Sequence, residues 1–177
     1  MNWTRFALIG FVLTALGVSL PSVAQRLGSN FDEEEWVEQQ AKLPAYPKPE
    51  NLIPAPVDAA KSFRFLIDIN SIDVGQDGVV RYVLVARSTS GSENISFEGV
   101  RCETREYKLY AVGRADKTWA QPRNPAWTRY SRVPPNYHAE LAILYFCPGE
   151  IKAHDPTEVI NYLRRGGYQP PPFVNPS

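Results

Sequence analysis

Four short segments between Phe63 and Val112 carry the apolar patterns of β-strands, and they restrict the chain to a fold that contains a sheet. Apolar and other residues alternate in FRFLIDIN, which predicts a strand with one apolar face. The next segment, VVRYVLVAR, is almost continuously apolar, which indicates a strand covered on both faces. Asp77 and Gly78 supply a turn before it, and residues 88 to 94 supply the next. The sequence therefore predicts an antiparallel sheet of four or more strands.

The third strand segment, ISFEGVRCE, changes parity in its middle. Ile95 and Phe97 lie on one side of a regular strand, whereas Val100 and Cys102 lie on the other. A bulge at Gly99 would add one residue and bring both pairs to the same face. We therefore predict a bulge at Gly99 that turns Cys102 inward. The fourth strand is REYKLYAVG.

Two segments after the sheet predict helices. Residues 137 to 146, YHAELAILYF, fit a helix or a strand by periodicity alone, but their strong helix formers favour a helix. Asp155 as cap, Pro156 at the first position and Gly166 as stop delimit a C-terminal helix. We expect a single-domain α+β fold, in which the antiparallel sheet is joined by a C-terminal helix and a second helix.

The region before the sheet divides into two parts. Residues 30 to 43 predict a short acidic helix, because Asn30 can cap it and acidic residues follow in its first turn. The stretch LPAYPKPENLIPAP holds five prolines and must be extended, and its apolar side chains favour a strap on the core over a free linker. The chain then divides into residues 25–56 (acidic helix and proline-rich strap), 57–168 (α+β domain) and 169–177 (proline-rich tail).

The first 24 residues have the pattern of a secretion signal. Arg5 precedes an apolar run, and Ser22 and Ala24 provide a small-x-small cleavage site. A retained membrane anchor is disfavoured, because the apolar run is shorter than the roughly 20 residues that cross a bilayer. We predict a cleaved signal peptide over residues 1–24, a mature chain that begins at Gln25, and no transmembrane segment after cleavage.

Cys102 and Cys147 are the only two cysteines. In an oxidising compartment an even pair favours one disulfide. The alternatives are a metal site or a redox pair, but zinc needs four ligands and the only histidines are His138 and His154, while redox pairs are usually spaced C-x-x-C. We predict a disulfide that ties the third strand to the second helix.

Charge excludes one class of partner. Residues 1–24 carry one basic residue and no acidic one, so 18 of the 19 Lys and Arg remain against 19 Asp and Glu, a net charge of −1. A nucleic-acid-binding protein would carry a strong basic excess. The acidic segment DINSIDVGQDG lacks EF-hand ligands, because Ile72 and Val79 occupy the fifth and twelfth positions. We interpret residues 68–78 as turn-forming, and we expect no metal and no cofactor.

His138 is the one candidate for acid–base chemistry. The chain has no G-x-S-x-G, H-E-x-x-H or phosphate-loop motif that would complete a catalytic set around it. A structural or surface role is favoured. A hydrolase would require His138 within hydrogen-bond reach of an acid or hydroxyl in an open cleft.

The irregular stretch from Trp119 to Tyr137 is dense in aromatic, arginine and proline residues. Exposed aromatic rings and guanidinium groups give large contact areas at low entropic cost, so this loop is a candidate surface for a glycan, a lipid headgroup or a protein. The alternative is that Trp119 and Trp127 simply cover the end of the sheet. The candidate surface residues are Trp119, Arg123, Trp127, Arg129, Tyr130 and Arg132.

Five motifs carry a resemblance to a known family. They are FDEEEW at 31–36, LPAYP at 43–47, DGVVRY at 77–82, SENISFEGVRC at 92–102 and YFCPG at 145–149. In these motifs the chain resembles the cryptic neisserial protein-like family of small secreted proteins of Gram-negative bacteria. The resemblance implies an envelope location, and it implies no catalytic residues because the family has no established activity. Both cysteines lie in matched motifs, which agrees with a shared disulfide.

The expected function is therefore that of a secreted, periplasmic accessory or interaction protein of the cell envelope, without enzymatic activity. Its partner would be an envelope protein or a glycan. Two alternatives remain. A small-ligand or lipid carrier would contain a deep apolar cavity, and a hydrolase would use His138.

Overall fold

One antiparallel sheet of seven strands organises residues 35–131, 133–134 and 136–172, which are the residues that this computed structural model describes. The strands are β1 Leu52–Pro54, β2 Phe63–Val74, β3 Val79–Ser88, β4 Glu93–Arg101, β5 Glu106–Gly113, β6 Trp119–Ala120 and β7 Thr128–Arg129. Strands β1 to β6 pair in that order, and β7 pairs with β5. The predicted α+β class is confirmed.

Helical segments cover one face of this sheet. They are α1 Tyr137–Leu141, a π-helical turn Ala142–Phe146, a 3-10 turn Pro148–Glu150 and α2 Pro156–Arg165. The helix predicted for residues 137–146 is thus confirmed, although its second half is π-helical. The Asp155 side chain caps α2 by accepting a hydrogen bond from Glu158 N, and Gly166 ends it with φ of 77°. The ring of Phe146 stacks on Tyr82 of β3, with 4.1 Å between ring centroids.

The opposite face of the sheet is covered by the chain before β1. Residues 36–48, which include only the first part of the proline-rich stretch predicted as a strap, contain neither helix nor strand, and we call them the strap from here on. Beneath the strap a small cluster forms from Val83, Phe97 and Ala111, and Ala41 packs against it. Because both faces are covered, β3 is buried from Val79 to Val85, as its continuous apolar pattern predicts.

The prediction of an acidic helix over residues 30–43 is wrong for the part of it that the structure describes. Residues 30–34 lie outside the described residues, and residues 35–43 are not helical. The cause is a competing set of partners. Gln39 donates its backbone N–H to Asp77 and offers its carbonyl to Arg81, so these backbone groups bond to the sheet instead of to a helical turn.

The bulge predicted at Gly99 is also wrong. The pairing of β3 with β4 runs without interruption from Val79↔Arg101 to Arg87↔Glu93. The irregularity lies in β5, where Tyr110 is the extra residue between the pairs Phe97↔Ala111 and Glu98↔Leu109. The parity change in β4 arises because its two apolar sets face opposite covered sides, since Phe97 lies under the strap and Val100 lies under the helices.

Gly99 is needed for the close approach of Tyr110. A Cβ atom at position 99 would lie 2.7 Å from Tyr110 Cε2 and 3.0 Å from Val79 Cγ1. We expect Gly99→Ala to lower the free energy of unfolding by about 1–3 kcal/mol, which is typical of overpacking. Urea unfolding measures the change. In a Tyr110→Leu background the alanine should be tolerated better, and an equal loss in both backgrounds would contradict the steric explanation.

A disulfide joins the sheet to the helices. Cys102 follows β4 directly, Cys147 follows the π-helical turn, and their Cα atoms lie 5.6 Å apart. Both residues are buried. The predicted pairing is therefore present, and it fixes the helical layer on the sheet.

No helix among the described residues combines the length and apolar character that a membrane span requires. The predicted signal, residues 1–24, lies outside the described residues, as do residues 173–177 of the proline-rich tail. The described part of the tail, residues 169–172, is exposed and has no regular secondary structure.

Candidate functional site

The two tryptophans of the predicted binding loop contact the strap. Trp119 is partly buried, donates its Nε1–H to Pro44 O at 2.9 Å and packs against the ring of Tyr46. Trp127 is also partly buried and meets Trp36 edge to face, with 5.9 Å between ring centroids. These rings cover the sheet and hold the strap, as the alternative interpretation of the loop predicts.

The remaining members of the predicted surface are dispersed. Tyr130 is 7% exposed and belongs to the core on the helical side. Arg123 and Arg129 are exposed, and Arg129 forms part of the short strand β7. Arg132 lies outside the described residues. The five described members therefore do not form one surface, and among them Arg123 and Arg129 are exposed.

A buried ion pair anchors the strap to the sheet. Arg81 and Asp77 have side chains only 2% and 1% exposed, and the Arg81 Nη2 to Asp77 Oδ2 distance is 2.6 Å. Arg81 also donates to Gln39 O at 3.0 Å, and Trp36 Nε1 donates to Asp77 O at 2.7 Å. Burial alone would raise the pKa of Asp77, but hydrogen bonds from Arg81 and from Gln39 N bring it below its ordinary value.

A second set of polar contacts holds the strap to β5, through Glu38. Glu38 accepts hydrogen bonds from Lys108 Nζ at 2.7 Å, from Tyr110 Oη at 2.8 Å and from Trp127 Nε1 at 3.1 Å. Burial opposes ionisation of Glu38, yet these donors lower its pKa below the ordinary value. This contact could not be predicted from the sequence, because Glu38 and Lys108 are 70 residues apart and no local pattern links them.

His138 lies near an acidic side chain but does not meet the conditions that a hydrolase requires. Its Nε2 is 3.4 Å from Oε2 of Glu98, which is longer than a catalytic hydrogen bond, whereas Glu98 accepts hydrogen bonds from Tyr82 Oη at 3.2 Å and from Ser96 Oγ at 2.6 Å. His138 and Glu98 are also only 7% and 4% exposed, so the pair lies between the sheet and α1 instead of in an open cleft. The ring of His138 stacks on Tyr107 at a centroid distance of 3.6 Å, which favours a structural role.

A surface groove lies at the edge of the sheet where β2 begins and β3 ends. This groove, which we call the Phe63 groove, has a volume of about 770 Å³ and is open to solvent. Phe63 is 38% exposed and lies beside Phe65 and Val57, which also line the groove. The sequence predicts only that Phe63 lies in a strand, because an alternating pattern does not show whether a side chain at the edge of the sheet is exposed.

Basic residues border the Phe63 groove. Lys61, Arg64 and Arg87 all line it. Arg64 and Arg87 are direct cross-strand neighbours. Like charges in such a pair normally destabilise the sheet. Arg87 pairs with Glu93 at 2.6 Å, whereas Arg64 makes no ion pair with any residue that the structure describes.

Comparison with known proteins gives a family. The sequence model described as the CNP1-like family matches residues 31–164, a region that includes the strap, the sheet and nearly all of α2. Cryptic neisserial protein 1 of Neisseria gonorrhoeae (strain ATCC 700825 / FA 1090) is 30% identical over 155 residues, and the alignment covers 77% of this chain and 76% of that protein. No solved structure matches the chain.

Proposed function

The chain belongs to the CNP1-like family, and from that premise we propose that it is a secreted, periplasmic accessory protein of the cell envelope that acts by binding an envelope protein or a glycan. The signal-like pattern of residues 1–24 supports secretion. The buried disulfide between Cys102 and Cys147 supports an oxidising compartment. The proposed role is non-enzymatic.

The Phe63 groove is the observation that carries this proposal. Exposed aromatic side chains in a concave surface mark binding sites more often than scattered apolar residues do, and arginine beside an aromatic ring is a frequent binding hot spot. Phe63 and its basic neighbours Arg64 and Arg87 provide that combination.

The same groove fits the two alternatives less well. Neither His138 nor His154, the only two histidines of the chain, lines it. A lipid carrier encloses most of its ligand in an apolar cavity, whereas the Phe63 groove is open and bordered by charges. A binding surface is therefore the use that its chemistry favours.

Photo-cross-linking in the periplasm tests the proposal. With a photoreactive amino acid at position 63, we expect a discrete adduct with one envelope component, since the side chain faces the bound partner. Position 151 is the matched control, because Ile151 is 71% exposed but does not line the groove. The polypeptide in the adduct should begin at Gln25.

Three results would count against this assignment. Equal labelling from positions 63 and 151 would mean that the contact is unspecific. Loss of the adduct in an Arg123→Ala, Arg129→Ala variant would transfer the contact to the loop before α1. Recovery of the uncleaved chain from the cytoplasm would remove the periplasmic location.

A further inference from the structure

A small cavity lies between the strap and β2, away from the Phe63 groove. It has a volume of about 170 Å³ and is lined by residues of the strap, among them Tyr46 and Lys48, and by Asp68 of β2. Asp68 is only 3% exposed. Phe65 and Ile67 belong to the core on the helical side of the sheet. Because successive side chains of a strand point to opposite faces, Asp68 faces the strap. We call this space the Asp68 cavity.

The carboxylate of Asp68 has no cationic partner among the residues that the structure describes. Its Oδ1 accepts one hydrogen bond, from Asn70 N at 3.0 Å. Among the described residues no basic side chain forms an ion pair with it within 4.0 Å. A buried carboxylate without a cationic partner is unfavourable, and Asp77 by contrast has one, since its Oδ2 lies 2.6 Å from Arg81 Nη2. Burial accordingly raises the pKa of Asp68.

A large bulge shapes this part of β2. The pairs Asp68↔Val83 and Asp73↔Arg81 leave residues 69–72 opposite Tyr82 alone. Ser71 Oγ bridges the interruption, since it donates to Asp68 O at 2.6 Å and accepts from Val83 N at 2.7 Å. Bulges of this kind re-aim side chains and are frequent next to binding sites. This bulge brings Asn70 and Ser71 to the rim of the Asp68 cavity.

The other lining groups complement a polar ligand. The side chains of Asn51 and Asn70 line the cavity and make no hydrogen bond with the described residues, so their amide groups are available. Lys48 adds an exposed cationic side chain to the same lining. The Asp68 cavity thus combines an unpaired anion, two free amides and a cation in a volume that holds a few water-sized groups.

We propose that the Asp68 cavity binds a small zwitterion, whose ammonium group contacts the carboxylate of Asp68 and whose anionic group is directed toward Lys48. A short α-amino acid is the chemical class that fits both charges and the volume of about 170 Å³. Charge-assisted hydrogen bonds to Asp68 then replace its missing partner. This inference goes beyond the proposed partner-binding role and does not depend on the Phe63 groove.

Binding of defined probes to the folded, full-length mature protein tests the inference. In thermal-shift and calorimetric titrations we expect glycine and alanine to bind, methylamine to bind more weakly, and acetate to have no effect. Asp68→Asn should weaken glycine binding at least roughly tenfold, the usual scale for a lost charged hydrogen bond. Lys48→Gln should weaken glycine binding while leaving methylamine binding unchanged. Asp73→Asn is the control, because Asp73 lies on the same strand and its side chain is 69% exposed.

The pH dependence provides a further readout. Glycine binding should weaken on acidification as the Asp68 carboxyl is protonated, and because burial raises the pKa of Asp68, this loss should begin at a higher pH than for an exposed aspartate.

Absence of any glycine or alanine effect would overturn the proposal. Equal affinity of wild type and Asp68→Asn for glycine would also overturn it. So would equal affinity of wild type for glycine and methylamine, if Lys48→Gln changed neither affinity. If Asp68→Asn does not fold, the exposed Lys48→Gln variant decides. A negative result at Phe63 leaves these titrations unaffected.

Discussion

Replacement of both cysteines, Cys102→Ala with Cys147→Ala, is expected to lower the free energy of unfolding by about 4 kcal/mol in the chain-entropy description of disulfides. The two residues are separated by 45 positions, so the bond constrains a long loop of the unfolded chain. It also holds Cys147, at the end of the π-helical turn, against the end of β4. For a domain of this size the midpoint of thermal unfolding should fall by roughly 8–16 °C.

Thermal unfolding with and without a reductant measures this effect. Reduced wild type should resemble the double alanine variant, and the reductant should leave the variant unchanged. An unfolding midpoint of the variant equal to that of the oxidised wild type would mean that the bond gives no net stabilisation. A strong dependence on the disulfide would agree with the proposed periplasmic location, because disulfides persist in oxidising compartments.

The sheet and the helices were predictable because their signals are local. The continuous apolar run of VVRYVLVAR required cover on both faces, and β3 has it. The cap and stop residues Asp155 and Gly166 delimit α2 as their chemistry requires. The same local signals failed at the strap, because Gln39 and Glu38 find partners about 40 and 70 residues away. Acidic residues that favour a helix terminus are equally good partners for Lys108.

The candidate sites were harder to predict. The interpretation of residues 68–78 as turn-forming is wrong for most of the segment, because β2 continues through Val74 and only the residues around Asp77 form the turn. This error concealed Asp68, which is distinguished by its burial and by the absence of a cationic partner among the described residues, and not by a motif. The exposure of Phe63 could not be predicted either, because the first residues of a strand and its middle have the same alternating pattern. Both sites depend on where the loop after β1 and the strap lie.

The largest electrostatic effect is expected at Asp77. Asp77→Ala leaves the guanidinium of Arg81 buried without its close partner, since the next carboxylate, that of Asp73, is 3.9 Å away and 69% exposed. Removing one member of a buried pair typically lowers the free energy of unfolding by about 3–5 kcal/mol. Glu93→Ala is the control. It breaks the pair with Arg87, whose side chains are both 39% exposed, and exposed pairs contribute about 0–1 kcal/mol.

Acidification and hydrogen exchange separate this effect from a general loss of packing. Because the pKa of Asp77 is lower in the folded chain than in the unfolded one, the pair stabilises the fold above the unfolded pKa and loses that contribution as the pH falls through the folded value. The difference between wild type and Asp77→Ala should therefore shrink at low pH. In native-state exchange the strap, residues 36–48, should lose protection before β3, since Gln39 loses its bond to Asp77. Uniform loss of protection, or a difference independent of pH, would show that Asp77 acts on the whole fold and not as the anchor of the strap.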